Sequence, residues 1–142
     1  LMAMAIAAVA VTLVVVAALA GGLLTISLKQ IVIIWAVLII GSIPFCAIGL
    51  LIGALSSAAA APAWGNLLFL PMMWLSGLFI PLPAFLEPWV VIWPTFHLNQ
   101  FAIGLAGVDQ FRFIPPAFAA GVLLGVTVLC GGLALRRLAR HG

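Results

Sequence analysis

The chain has 142 residues, of which 68% are hydrophobic and only 5% charged, with a formal net charge of +3. Soluble domains carry about a quarter charged residues, so this composition argues against a water-soluble fold and leaves no room for a soluble catalytic domain. Residues 30–86 contain no Asp, Glu, Lys or Arg. One bilayer crossing takes about 20 apolar residues, so this gap holds two crossings and a turn. The apolar runs are continuous and rich in Ala, Leu, Ile and Val, unlike the alternating segments of about ten residues that build a lipid-facing barrel. The composition predicts an all-α integral membrane protein, a single transmembrane domain over residues 1–142.

The first predicted span covers about residues 1–24 and closes on Gly21-Gly22. Ala18-Leu19-Ala20 resembles a signal-peptide cleavage site, but the run before it lacks a basic start and is long for a signal core, which favours a true span. The link Thr25–Gln30 is short, so the first two spans are antiparallel neighbours. The second span runs over about 31–53, with Pro44 as a kink site. Its end carries Gly49-x-x-x-Gly53, a spacing that lets helices approach closely in lipid. Ala54–Pro62, with Ser56, Ser57 and Pro62, reads as a turn. The third span covers about 63–80 and contains Pro71.

Pro81, Pro83, Pro88 and Pro94 then follow at intervals too short for a long helix. The polar residues Thr95, His97, Asn99 and Gln100 fall where the middle of a fifth span would lie. Broken, polar backbone at membrane depth needs protein or a water-filled cavity around it. Residues 81–108 are therefore expected to form an external re-entrant segment, a proline-broken helical hairpin between the third and fourth of four transmembrane helices. The last span covers about 115–135, with Gly121-x-x-x-Gly125 as a second close-packing spacing. Arg136, Arg137 and Arg140 make 136–142 a basic tail, which the positive-inside rule places in the cytoplasm.

Few residues here could carry chemistry. Ser76 and His97 are of the types that make a nucleophile–base pair, but intramembrane serine proteases use Gly-x-Ser-Gly, and Trp74 stands at its first position. The plainer reading makes Ser76-Gly77 a packing notch and His97 a polar residue on the outer face of a re-entrant helix. Glu87 and Asp109 are either interfacial carboxylates or, if immersed in lipid, a proton relay. Trp74, Trp89 and Trp93 fit an aromatic belt or a hydrophobic route. Cys46 and Cys130 lack metal-ligand spacing and act as small apolar residues. No phosphate-binding Gly-x-x-x-x-Gly-Lys-[Ser/Thr] occurs, so the chain has no ATPase of its own, and the arginines are explained by topology rather than by nucleic acid.

The run Gly49-Leu-Leu-Ile-Gly-Ala-Leu-Ser-Ser57, then Asn66, Leu70-Pro71, Leu75-Ser-Gly-Leu-Phe-Ile-Pro81, Trp89, Pro94 and His97, resembles the permease subunits of ABC-2 type transporters. The likeness covers about Ile48–Gly142, while Leu1–Ala47 matches only as two featureless spans. It implies the membrane-spanning subunit of a bacterial ATP-driven exporter of a drug, lipid or polysaccharide, in the cytoplasmic membrane. It further implies six spans, of which this chain would supply the third to sixth. The family often has charge in the turn corresponding to Ala54–Pro62 and an arginine where Gly104 or Gly107 stands; this chain has neither.

The implied partners are membrane lipid, a second permease copy and a separate ATP-binding cassette subunit, which would hold the ATP and Mg; no cofactor, catalytic group or metal belongs to this chain. Trp74, Ser76, Gly77, Pro81, Trp89, Pro94 and His97 are the expected substrate path or outer gate, and Gly49, Gly53, Gly121 and Gly125 the helix-packing positions. The alternative reading is a small non-transporting membrane scaffold or assembly protein. If Gly77 is a close-packing gate, Gly77→Trp is expected to abolish export by a protein that still inserts, measured in a vesicle transport assay; undiminished export would remove that assignment.

Overall fold

The structure is a computed structural model and describes residues 2–22, 27–76, 85–107 and 113–141. All regular elements among the described residues are helices: α1 (Met2–Ala20), α2 (Leu28–Ile40), α3 (Ile43–Leu55), α4 (Ala61–Trp74), α5 (Glu87–Val90), α6 (Pro94–Ala106) and α7 (Pro116–His141). Two stretches are long and apolar enough to cross a membrane, Leu28–Leu55 (α2 with α3) and Pro116–Arg140 within α7. Large apolar side chains are exposed on several faces of α1, among them Ile6, Val9, Leu13 and Val14. A surface of that kind suits hydrocarbon rather than water.

Glycine and proline set the element boundaries. α1 ends at Gly21-Gly22, where Gly22 takes the left-handed φ of +63° that only glycine adopts at low cost. α2 starts earlier than the expected residue 31, because Ser27 and Gln30 form a capping box. The Ser27 N–H donates to Gln30 Oε1 at 2.9 Å, and the Gln30 N–H donates to Ser27 Oγ at 3.3 Å. The α1–α2 pair is pinned where Trp35 Nε1–H donates to Thr12 Oγ1 at 2.9 Å. Pro44 has no N–H to offer the Ile40 carbonyl and crowds it, so the ladder tightens just before it. The Ser42 N–H reaches back only to Ile39 O, at 3.2 Å, and α2 gives way to α3.

Prolines otherwise stand at helix starts. Pro44, Pro62, Pro88 and Pro94 lie in the first turns of α3, α4, α5 and α6, and Pro116 opens α7. Early helical N–H groups have no intrahelical partner, so proline loses nothing there. Pro71 is different, since it lies inside α4. The expected end of the third span at residues 77–80, together with Gly77, Pro81 and Pro83, lies outside the described residues, as do Asp109 and Arg112. α7 runs without a break through Arg136, Arg137 and Arg140, the residues of the expected basic tail.

α3 packs along α7, α6 lies against both α7 and α2, and α4 touches α3 and α6. Among the described residues, the close approaches are not made by the expected glycines. A Cβ added at Gly49, Gly53, Gly121 or Gly125 would meet nothing within 4 Å. All four face outward, because their Gly-x-x-x-Gly rows lie away from the α3–α7 seam, which is built by Ala47, Ile48, Leu123 and Ala134. Gly41 and Gly104 take the packing role instead. A Cβ on Gly41 would collide with the Leu98 side chain and lie 2.7 Å from Val37 O, and one on Gly104 would enter the Pro116 ring.

These positions make a paired prediction. Overpacking costs about 1–3 kcal/mol, whereas replacing glycine by alanine within a helix gains at most about 1 kcal/mol. Gly104→Ala is expected to lower the unfolding free energy in mixed micelles, and Gly49→Ala to leave it unchanged or raise it. The reverse order would place the packing contacts elsewhere.

Candidate functional site

Among the described residues, α6 carries two of the three buried polar side chains, His97 and Gln100. Its sequence, PTFHLNQFAIGLA, sets Thr95 and Asn99 one turn apart on one side and His97 and Gln100 on another. His97 is fully buried, Gln100 almost so, and Ser76, just past the end of α4, is fully buried beside them. Polar side chains survive burial only when hydrogen-bonded. Here their bonds go to backbone that the broken helices leave unpaired.

The end of α4 is the first case. In a continuing helix Met72 O would accept from the Ser76 N–H, but that N–H turns to Met73 O at 3.4 Å. Thr95 Oγ1 donates to Met72 O at 2.7 Å instead, and Asn99 Nδ2 donates to Ser76 O at 3.4 Å. At the end of α5, His97 Nε2 lies 2.7 Å from Val91 O. A carbonyl can only accept, so Nε2 carries the proton. At the end of α6 itself, Gln30 Nε2 reaches across from α2 to Ala106 O at 2.8 Å. Gln100 Oε1 accepts the Phe113 N–H at 2.8 Å, tying α6 to the approach to α7.

The other ring nitrogen of His97, Nδ1, is buried with no hydrogen-bond partner. The ring sits between aromatic neighbours, with the Phe96 centroid 5.8 Å away and edge-on and the Phe118 centroid 5.9 Å away. His97 therefore joins α5, α6 and α7 through one hydrogen bond and two ring contacts. It is not on an outer face, as the sequence reading had it, because α7 closes over that side of α6. Neither imidazole nitrogen bonds the Ser76 hydroxyl, which donates to Met73 O at 2.6 Å. The nucleophile–base contact of a hydrolase is not made between these two residues.

On its other side α6 borders an apolar groove of about 260 Å³ against α2, lined by Ile34, Leu38, Thr95, Asn99, Ala102 and Ala106 among others. Among the described residues no group of three or more His, Cys, Asp or Glu could hold a metal. Of the expected gate residues, Ser76, Pro94 and His97 converge on the interior of the bundle. Trp74 and Trp89 do not, since both are more than half exposed. Gly77 and Pro81 lie outside the described residues. Sequence reasoning noted Thr95, Asn99 and Gln100 only as polar interruptions and passed over Gln30, Gly41 and Gly104. The Ser27-x-x-Gln30 spacing and the one-turn spacing of Thr95 and Asn99 were the available signals.

Thr95→Val keeps the shape and deletes the donor to Met72 O. Leaving such an acceptor buried and unpaired costs about 1–3 kcal/mol, so Thr95→Val is expected to lower the thermal midpoint in detergent while Thr95→Ser restores it. Equal midpoints for the two variants would show that this bond carries no stability.

The chain matches no family model, no curated protein and no solved structure.

Proposed function

We propose that this chain is the permease subunit of an ATP-driven ABC-2 type exporter, forming part of the pathway for a drug, lipid or polysaccharide across a bacterial cytoplasmic membrane. The observation that carries the reading is the pair of short helices with proline in their first turns, α5 and α6, which lie in sequence between α4 and α7, with α6 packed against α2, α4 and α7. Their order resembles the external hairpin of that family, and a final helix with a basic end follows them.

On this reading the membrane is crossed four times, by α1, by α2 with α3, by the span expected over residues 63–80, and by α7. The α5–α6 pair is a re-entrant segment on the external side, and the C-terminal arginines lie in the cytoplasm. Leu28–Leu55, at about 1.5 Å per residue, is on the order of 40 Å long, enough for a hydrocarbon core of about 30 Å with tilt or kink. A second permease copy would complete the pathway, and a separate subunit would bind and hydrolyse ATP with Mg. Closure of the ATPase pair would rock the spans between inward-open and outward-open arrangements. α6 would be the outer lid, with Ser76, Pro94 and His97 at its base.

Copurification of the tagged chain from its native membrane in mild detergent tests the reading. The expected partner carries Gly-x-x-x-x-Gly-Lys-[Ser/Thr] and gives the complex an ATPase activity that is lost when its phosphate-binding lysine is changed to alanine. A stable complex with no ATPase would overturn the exporter reading and leave the scaffold alternative. His97→Phe keeps the ring contacts but removes the bond to Val91 O. In the complex it is expected to uncouple ATP hydrolysis from export, read as retained hydrolysis with reduced vesicle uptake.

A further inference from the structure

The proposed transport cycle assigns no task to the charged end of α7, whose geometry is specific enough to name a ligand. α7 stays helical past its apolar part, through Arg136, Arg137 and Arg140 to His141. That continuity fixes the register of the three cations. At about 100° per residue, Arg136 and Arg140 stand one turn apart on one stripe, with Cβ atoms about 6 Å apart. Leu129 and Leu133 continue that stripe toward the middle of the helix, and both are more than half exposed. Arg136 and Arg140 are exposed as well.

Two features select what lies on this stripe. The first is charge. The chain has two acidic residues, Glu87 and Asp109, and both precede α7. Glu87 belongs to α5, whose end is tied through His97 to Phe118, near the start of α7. From Phe118 to Arg136 is about 27 Å of helix, beyond the screening length of about 8 Å in physiological salt. No acidic residue occurs in residues 110–142, nor in residues 30–86, which include α3 and α4. The second feature is depth. About 30 Å of helix, the thickness of a hydrocarbon core, separates Pro116 from Arg136. The two guanidinium groups therefore fall in the headgroup layer, with Leu133 and Leu129 in the acyl layer beneath. A lipid phosphate fits this pair. Guanidinium binds phosphate oxygens bidentately, and two such forks one turn apart converge on one phosphate. A soluble acidic segment would meet the arginines but not the leucines below them in hydrocarbon.

We infer that Arg136 and Arg140 clamp the phosphate of one anionic phospholipid, with an acyl chain of that lipid along Leu133 and Leu129. A zwitterionic lipid offers the same phosphate, but Arg137 alongside repels its ammonium. The inference rests on α7 crossing the membrane and not on ATP-driven export. A bound lipid would fix the height in the bilayer of α7, the helix that closes over His97.

The test is native mass spectrometry of the full chain, released from mixed micelles holding equal amounts of palmitoyl-oleoyl phosphatidylglycerol and phosphatidylcholine. One phosphatidylglycerol per chain is expected to be retained, saturating as its share rises. Free glycerol phosphate at matched concentration should not displace it. Arg136→Gln together with Arg140→Gln should weaken retention about thirtyfold, the factor that two surface arginines supply. Removing two cations also disturbs the charge that orients the helix, so Arg136→Lys with Arg140→Lys is the second variant. It keeps that charge but lacks the forks. Its retention should be about tenfold weaker, the factor for one lost hydrogen bond to a charged group. Equal retention of the two lipids, displacement by glycerol phosphate, or wild-type retention in the lysine variant would each overturn the clamp. Failure of ATPase copurification would leave these outcomes untouched, so the two proposals fail separately.

Discussion

Every helix break inside an apolar body leaves carbonyls without donors, and the rest of this structure depends on how those carbonyls are satisfied. In lipid an unpaired backbone group costs several kcal/mol, so a chain that breaks its helices there must bring side-chain donors to the breaks. Thr95, His97 and Asn99 of α6 do this for the ends of α4 and α5, and Gln30 of α2 does it for the end of α6. Three of these bonds, those of Thr95, Asn99 and Gln30, span 23 or 76 residues of sequence, so satisfying the backbone and fixing the tertiary arrangement are one event. α6 lies among α2, α4 and α7 because its polar residues have partners there.

The same economy governs glycine and proline. Proline disrupts a helix interior but fits a first turn, and the chain uses it mainly in the second way, at the starts of α3, α4, α5, α6 and α7. Glycine matters where backbones or side chains meet most closely, at Gly41 beneath Leu98 and Gly104 beneath Pro116. Both contacts hold α6, one on its α2 side and one on its α7 side. A short helix with nearly half of its residues buried is thus fixed by steric contact as well as by hydrogen bonds.

This construction suits a part that moves as a unit. α6 meets its neighbours through close side-chain packing as well as hydrogen bonds and ring contacts, and switching elements are bistable rather than continuously deformable. His97 concentrates that property, since one imidazole joins α5, α6 and α7 and still has an unpartnered ring nitrogen. In the proposed exporter, such a lid would respond to motion of α7 without unfolding.

The all-helical class, the continuous apolar runs and the turns at Gly21-Gly22 and Ser56-Ser57 were legible in the sequence, because hydropathy and backbone-breaking residues act locally. The sequence could not show which small residues touch. Gly49-x-x-x-Gly53 and Gly121-x-x-x-Gly125 have the right spacing and face outward, while Gly41 and Gly104, with no motif around them, take the contacts. Spacing sets which residues share a helix face, but only the rotation of one helix against another decides whether that face meets a neighbour. His97 illustrates the same division. Its sequence context makes it a polar residue after a proline break, and its complete burial follows from α7 lying across it. Local physics determined where most of the described helices start and stop, and the tertiary structure decided which of their polar groups became partners.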